Sequence, residues 1–342
     1  MTRRRAVGAW LALCCCLLFL LILVGGVTRL TQSGLSITEW EPVVGALPPL
    51  GEAQWAEAFA KYQRSPEYLQ INRGMSLGQF QRIFWWEYAH RLLARVLGAT
   101  YLLPLLWFLV RREIGGALAW RLVGVFLLGG AQGALGWLMV ASGLVDEPRV
   151  SHLRLAAHLG MALAILGAMF WLALGQLRGP STARPPSAPG LARLAGGFAG
   201  LVFVQAISGA MVAGTHAGLL YGTFPLMAGS LIPAGLLRLE PWFRNPLYNL
   251  ATIHFQHRGI AWILLAAACA FRWRARTTLG EGDPLRAANL LLAAVLLQFA
   301  LGVATVLAGV PATLGVLHQG GAVLLFVAAL NAWHSCRRAA VA

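Results

Sequence analysis

Charged residues are scarce in this chain. The 27 Lys and Arg and the 12 Asp and Glu together make up 11% of its 342 residues, less than half of the roughly 25% typical of soluble domains. Apolar residues make up 58% and occur in blocks of about 20, the length that crosses a hydrocarbon core of about 30 Å as a helix. This pattern excludes a disordered chain and predicts an integral membrane protein.

Cysteine is scarce in the segments between these blocks. All five cysteines lie inside or at the end of an apolar block: Cys14, Cys15, Cys16, Cys269 and Cys336. We therefore expect no structural disulfide. The sequence also has no Cys or carboxylate cluster suited to zinc, no iron–sulfur motif, and no glycine-rich dinucleotide fingerprint in a strand–turn–helix context.

The charge that is present is mostly positive, with a formal net value of +15. In a soluble protein this would suggest nucleic acid, but here the basic residues cluster at the ends of apolar blocks, as topology signals do. We predict no nucleic-acid partner. Arg3–Arg5 precede the first block, which predicts a cytoplasmic N-terminus and, after an even number of spans, a cytoplasmic C-terminus.

The apolar blocks predict an all-α protein with eight transmembrane helices: 7–28, 87–110, 118–141, 153–177, 194–214, 250–271, 288–310 and 315–336. The first is interpreted as a span, because it is longer than the apolar core of a signal peptide. Two outer loops are long, 29–86 and 215–249. In the first, Trp55–Tyr62 is a candidate amphipathic helix lying on the membrane.

The chain carries an internal repeat. A Pro-, Ser- and Ala-rich inner segment, 178–193, is typical of a flexible linker and separates halves 1–177 and 194–342. Four motifs recur in the same order: Gly25–Leu35 with Gly209–Leu219, Glu87–Arg91 with His254–Arg258, Gln132–Gly136 with Gln298–Gly302, and His158–Gly160 with His318–Gly320. Because each half has an even number of spans, we expect two pseudo-symmetric four-helix bundles related by a parallel repeat.

Four of the eight histidines belong to this repeat: His90, His158, His257 and His318. Each lies near the outer end of a span, so the two in each half sit at similar depth. An ionisable group inside a span is costly and usually marks a site. Two imidazoles at equal depth suit a metal with two axial positions, which haem iron has. The pattern therefore predicts one haem site in each half.

Three arginines and one glutamate lie close to these histidines. Arg91 and Arg258 each follow a repeated histidine, and guanidinium is a natural partner for a haem propionate. Arg95, one turn deeper, favours a bound anion. Glu87 lies three residues before His90, where the second half has His254. A carboxylate beside a haem can hold water, move a proton or stabilise positive charge, so we expect chemistry in the first half and a permanent cofactor in the second.

These residues resemble one known family. GGVTRLTQSGLSITEWEPVVGALPPL (25–50), PEYLQIN (66–72) and FWWEYAHRLLARVLGA (84–99) are similar to haem A synthases of the alphaproteobacterial and mitochondrial type, and IHFQHRGIAW and GVLHQGG stand where that family has its later histidines. The resemblance extends from about Gly25 to Gly321. Some bacterial relatives carry a cysteine pair in the first outer loop, which this sequence lacks.

The resemblance implies an enzyme of the bacterial inner membrane that oxidises the C8 methyl group of haem O to a formyl group, giving haem A for cytochrome oxidase. It places substrate haem O or product haem A between His90 and His158, and a haem B cofactor between His257 and His318. Glu87 then matches the family's catalytic glutamate. It also implies a haem O synthase and oxidase assembly factors as partners. The oxidation further requires an electron acceptor, for which the chain carries no motif.

Two other functions fit part of the pattern. A two-haem, b-type electron-transfer cytochrome would also need four paired histidines, but it would not need Glu87 in one half only. A transporter with repeated halves would predict helices broken near the membrane midplane. The glycines of the third span are compatible with that, but they are also typical of close helix packing.

Overall fold

The computed structural model describes residues 3–40, 44–145, 148–179, 189–279 and 281–341. Within these ranges the protein is helical, and its only β-type pairing is an isolated bridge between Met227 and Ser230. The α-helices are α1 (Arg3–Leu30), α2 (Glu52–Tyr62), α3 (Pro66–Gln70), α4 (Leu77–Val110), α5 (Gly116–Ala141), α6 (His152–Arg178), α7 (Pro189–Thr215), α8 (Asn245–Tyr248), α9 (Leu250–Leu279), α10 (Asp283–Leu307) and α11 (Ala312–Val341).

Seven of these helices are long and apolar enough to cross a membrane: α1, α4, α5, α6, α7, α10 and α11. The protein is therefore a multi-pass membrane protein, as predicted. The remaining predicted span, 250–271, falls within α9. That helix is 30 residues long but carries Arg272, Arg274 and Arg276 near its end, and it is not among the seven. The count of eight spans stays a prediction.

The predicted linker 178–193 lies mostly outside the described residues, which omit 180–188. Helix α6 ends at Arg178 and α7 begins at Pro189, five residues earlier than the predicted span. The division of the chain into 1–177 and 194–342 follows the sequence repeat and stays a prediction.

Backbone contacts divide the chain into two compact units, one formed by Met1–Cys15 with Leu163–Ala342 and the other by Cys16–Ala162. In the first unit, α7 packs against α9 and α11, and α10 packs against the same two helices, so these four close into a ring. Many large apolar side chains are exposed, among them Trp120, Trp273 and Leu297. Exposed apolar surface of this extent is expected where lipid is the solvent.

The first outer loop of the second unit is folded rather than extended. Helix α2 contains the predicted segment Trp55–Tyr62, and its apolar face packs against the beginning of α4. The ring centres of Trp55 and Phe84 lie 4.9 Å apart, and those of Tyr62 and Phe80 lie 5.2 Å apart. The predicted helix is confirmed, with Tyr62 buried and Trp55 and Phe59 partly buried in the protein. Its position on the membrane surface stays a prediction.

Helix α4 begins ten residues before the predicted span because the chain supplies both a cap and a packing surface there. The Ser76 Oγ atom accepts a hydrogen bond from the Gln79 backbone N–H, and the Gln79 side chain accepts one from the Ser76 backbone N–H. This capping box satisfies two amide groups that a helix start otherwise leaves unpaired. His90 consequently lies well inside a continuous helix.

Candidate functional site

The four repeated histidines lie on four long helices and are half-buried. His90 on α4 and His158 on α6 belong to the unit Cys16–Ala162, whereas His257 on α9 and His318 on α11 belong to the other unit. The structure brings the second pair close together. The ring centres of His257 and His318 are 6.5 Å apart, with the ring planes at 84°.

This spacing suits two imidazoles on opposite sides of one metal atom. Two metal–nitrogen bonds of about 2 Å, added to the radii of two rings, separate the ring centres by roughly 6 Å. The Nδ1 atoms of His158 and His257 are buried and have no hydrogen-bond partner among the described residues. Leaving a buried polar atom unpaired is costly, so a bound group that uses the imidazoles would relieve that cost. The residues therefore fit a haem with two axial histidines.

Other metal centres are less compatible with this chain. Within the described ranges, no group of three or more His, Cys, Asp or Glu side chains could hold a metal ion. A structural zinc site would need four such ligands, whereas haem iron takes only its axial ligands from the protein.

Each of the four imidazoles rests against a glycine on a neighbouring helix. A Cβ atom placed on the glycine would lie close to Cε1 of the histidine: 3.0 Å for Gly25 and His90, 2.8 Å for Gly136 and His158, 3.1 Å for Gly209 and His257, and 2.9 Å for Gly302 and His318. Ordinary contacts of such an atom begin at 3.4 Å. Any larger residue would push the ring away, so the repeat preserves one local packing arrangement four times.

Glu87 is the acidic side chain nearest to these histidines along the chain, and only 3% of its surface is exposed. Its Oε2 atom accepts hydrogen bonds from the Ser36 hydroxyl at 2.8 Å and from the Ile37 backbone N–H at 2.9 Å. Its Oε1 atom accepts from Arg91 Nε at 3.1 Å and Nη2 at 2.7 Å. Four donors hold this carboxylate in one orientation, one helical turn from His90.

Arg91 connects α4 to the first outer loop. Its Nη2 atom donates to the Ile37 carbonyl at 2.8 Å, and Nη1 donates to the Glu39 carbonyl at 2.9 Å. Together with the bonds of Glu87, these contacts form a clamp that presses residues 36–39 against the helix. Charge-assisted hydrogen bonds are about twice as strong as neutral ones, so the clamp holds residues 36–39 firmly against α4.

Arg258 makes the same clamp in the second half. Its Nη2 and Nη1 atoms donate to the carbonyls of Tyr221 at 2.9 Å and Thr223 at 2.8 Å. Ile37 and Tyr221 are 184 residues apart, as are Glu39 and Thr223, and as are Gly25 and Gly209. The contacts that hold the outer loops therefore follow the sequence repeat.

His254 takes the place of Glu87 in this second clamp. Its Nε2 atom accepts a hydrogen bond from Arg258 Nε at 3.0 Å, and only 1% of its surface is exposed. The sequence places His254 opposite Glu87 in the repeat and leaves its role unassigned. The structure shows that both halves keep the clamp and that only the first keeps the carboxylate.

The arginines predicted to bind propionates lie near the predicted histidines. Arg91 and Arg258 donate to the loops, and Arg95 is half-buried one turn further along α4. Their propionate role stays a prediction.

A second buried carboxylate, Glu67, was missed by sequence reasoning. It lies on α3 in the first outer loop, is 4% exposed, and accepts a hydrogen bond from the Tyr62 hydroxyl at 3.1 Å. Burial raises the pKa of Glu67 to about 7. The hydrogen bond from Tyr62 lowers this pKa, the nearby charge of Glu87 raises it, and Arg29 lowers it.

The raised pKa predicts a pH-dependent stability. Between the ordinary pKa of 4.5 and about 7, the folded state holds a proton that the unfolded state has lost, so stability falls as the pH rises through this window. The difference amounts to roughly 3 kcal/mol. Glu67→Gln should remove this dependence, as measured by thermal unfolding of the purified protein at pH 5 and pH 7.5. Glu52→Gln, at an exposed position on α2, is the matched control, and an unchanged pH slope in Glu67→Gln would contradict the prediction.

Comparison with known proteins gives a consistent result over nearly the whole chain. The family model of COX15-CtaA, described as cytochrome oxidase assembly protein, matches residues 8–330. The chain is 48% identical over 336 residues to a protein of Nitrosospira multiformis named heme A synthase, with 98% of this chain and 94% of the relative covered. Proteins of the same name from Nitrosomonas eutropha (48%, covering 95% of this chain and 92% of the relative) and Parvibaculum lavamentivorans (46%, covering 98% and 94%) are similarly related.

Proposed function

We propose how the halves of this chain share one reaction, given that the chain belongs to the COX15-CtaA family of cytochrome oxidase assembly proteins and is a haem A synthase. The enzyme oxidises the C8 methyl group of haem O to a formyl group, by successive hydroxylations, to give haem A. In our proposal, His90 and His158 hold the haem O substrate and then the haem A product. His257 and His318 hold a haem B cofactor.

The observation that carries this assignment is a repeated arrangement with one chemical difference. Four imidazoles are each backed by a glycine, and both outer loops are clamped by an arginine. Only the first clamp contains a carboxylate, Glu87, where the second contains His254. A structural requirement would apply equally to both halves, so the difference supports a chemical role for Glu87.

Glu87 would act on the substrate from a fixed position. Its buried carboxylate can accept a proton or hold a water molecule beside the haem that His90 binds. Its four hydrogen bonds prevent it from reorienting during the reaction, and preorganised charge of this kind is a large contributor to catalysis. Haem B, when bound, would supply one-electron redox chemistry, and an external electron acceptor would complete the oxidation.

The arginines would add the recognition of the porphyrin carboxylates. Arg91 and Arg258 lie next in sequence to His90 and His257, and Arg95 lies one turn deeper. We assign to them contacts with the propionates, because guanidinium matches carboxylate in both charge and shape. The loop clamps fix the positions of two of these guanidinium groups.

The membrane arrangement that we propose has eight spans in two four-helix bundles, with α9 as the span beyond the seven apolar helices. Both termini would face the cytoplasm, and both haem sites would lie near the periplasmic face of a bacterial inner membrane. The arginines around the predicted inner ends of the spans support this orientation. The partners would be a haem O synthase that supplies the substrate and the assembly apparatus of cytochrome oxidase that takes the product.

Extraction of the pigments from the purified protein tests the proposed function. The protein should hold haem B together with a farnesylated haem, either haem O or haem A, when it is produced in cells that make haem O. Chromatography separates these pigments by the farnesyl tail. Non-farnesylated haem alone would indicate an electron-transfer cytochrome, and the absence of haem would indicate a transporter. Either result would overturn the assignment.

A further inference from the structure

Three of the four glycines that face histidines are preceded by a glutamine at the same spacing. Gln132, Gln205 and Gln298 each lie four residues before the glycine on the same helix, which gives the pattern Gln-x-x-x-Gly in α5, α7 and α10. Residues four apart share a helix face. Each glutamine therefore faces the neighbouring helix one turn away from the glycine.

All three glutamines make the same hydrogen bond. Each donates its side-chain N–H to the backbone carbonyl of the facing histidine: Gln132 to His158 at 3.0 Å, Gln205 to His257 at 3.0 Å, and Gln298 to His318 at 2.8 Å. The bond ties the helix turn that carries the imidazole to the helix that carries the glycine. The five residues from glutamine to glycine thus form a cradle for one histidine, touching both its backbone and its ring.

Two of the carboxamides also reach the imidazole. Gln298 Nε2 lies 3.1 Å from His318 Nδ1, and Gln132 Nε2 lies 3.4 Å from His158 Nε2. The Oε1 atoms of Gln132, Gln205 and Gln298 are buried and have no partner among the described residues.

The fourth cradle lacks its amide. The residue four positions before Gly25 is Leu21, whose backbone carbonyl is a hydrogen-bond acceptor for the His90 imidazole. Its side chain has no N–H to donate and no oxygen to accept. Leu21 and Gln205 are 184 residues apart, as are Gly25 and Gly209, so the two positions are equivalent in the repeat. His90 is the one repeated histidine whose glycine is not accompanied by this glutamine.

We infer that the residue four positions before each glycine decides how firmly the facing histidine is held. Leu21 at this position would make His90 the exchangeable ligand, through which haem O enters and haem A leaves. The inference rests on the proposed function, in which the first half must release its haem after each turnover and the second must retain its haem. Groups that orient a metal-binding histidine typically change metal affinity 10- to 100-fold. With glutamine at both cradles of the second half, the haem there would be retained. With leucine at one cradle of the first half, the haem there would exchange.

A reciprocal exchange of the two residues tests the inference. Gln205→Leu should accelerate the loss of haem B from purified protein by about tenfold and leave the loss of the farnesylated haem unchanged. Leu21→Gln should slow the loss of the farnesylated haem by about tenfold and leave haem B unchanged. The rates are measured by transfer to an excess of apomyoglobin, and chromatography identifies each transferred pigment. Leu20→Gln, at an exposed position on α1, is the control for adding an amide to that helix.

The outcomes separate the inference from the function on which it rests. If the wild-type protein holds both haems but Leu21→Gln loses its farnesylated haem at the wild-type rate, the inference is overturned and the proposed function stands. If Gln205→Leu retains haem B as firmly as the wild type does, the inference is likewise overturned. A wild-type protein that holds only one haem would overturn both.

Discussion

Replacing Glu87 with alanine is expected to reduce haem A formation by about 100-fold or more, the size of effect that a positioned acid or base contributes. The haem B content should stay at the wild-type level, because Glu87 lies on α4 and the proposed cofactor ligands lie on α9 and α11. Chromatography of extracted pigments measures haem O and haem A, and the reduced-minus-oxidised absorption spectrum measures haem B. Normal haem A output from Glu87→Ala would refute the catalytic assignment.

Because Glu87 also belongs to the loop clamp, a second pair of variants is needed to separate the two roles. Glu87→Gln retains an oxygen that can accept from Ser36 and from the Ile37 backbone, but it loses the charge that pairs with Arg91. Ser36→Ala removes one bond, of 2.8 Å, to the carboxylate and keeps the charge. We expect Glu87→Gln to be about as inactive as Glu87→Ala. Ser36→Ala should retain clearly more activity than either, because it keeps the carboxylate and removes one hydrogen bond to it, worth about 1.5–3 kcal/mol. If Ser36→Ala were less active than Glu87→Gln, the loop clamp rather than the charge of Glu87 would be the requirement for activity.

Replacing His257 with alanine is expected to remove haem B altogether and, with it, the formation of haem A. His90→Ala should instead retain haem B and lose the bound farnesylated haem, because the two histidines serve different haems. The haem content per polypeptide, resolved into farnesylated and non-farnesylated pigment, distinguishes the two variants. If each variant lost both pigments equally, the halves would not be separate binding sites.

The glycines provide a control that leaves all four histidines in place. A Cβ atom at position 302 would lie 2.9 Å from His318 Cε1, whereas one at position 133 would meet nothing within 4 Å. Gly302→Ala should therefore lower the haem B content severalfold, and Gly133→Ala should not. Equal haem B content in the two variants would show that the close packing of glycine on histidine is not needed to hold the cofactor.

The class of the protein and most of its spans could be predicted from sequence because the physical cause is local. A helix that crosses lipid must satisfy its own backbone and present about 20 apolar residues in a row, and seven predicted spans correspond to such helices. The repeated histidines and the asymmetry at Glu87 were also visible in the sequence, since four motifs recur there in the same order. The family followed from motifs that the comparisons confirm.

Contacts between distant segments were beyond the reach of the sequence. Arg91 and Arg258 were expected at propionates. Besides Glu87 and His254 on their own helices, however, they contact carbonyls more than 30 residues away along the chain. Helix α4 begins at Leu77 because an aromatic outer loop packs on it, a surface that apolar runs alone do not reveal. Nothing in the sequence distinguishes the buried Glu67 from the exposed acidic residues of the same loop.

The cradles show most clearly what the sequence determines and what only the tertiary structure decides. The sequence contains the matching segments Gln132–Gly136 and Gln298–Gly302, but nothing in it says that the glutamine reaches a histidine backbone on another helix. Only the packing of helix pairs brings Gln205 into the same arrangement and shows Leu21 as its exception. A hydrogen bond across helices depends on distance and direction, and tertiary structure alone decides both.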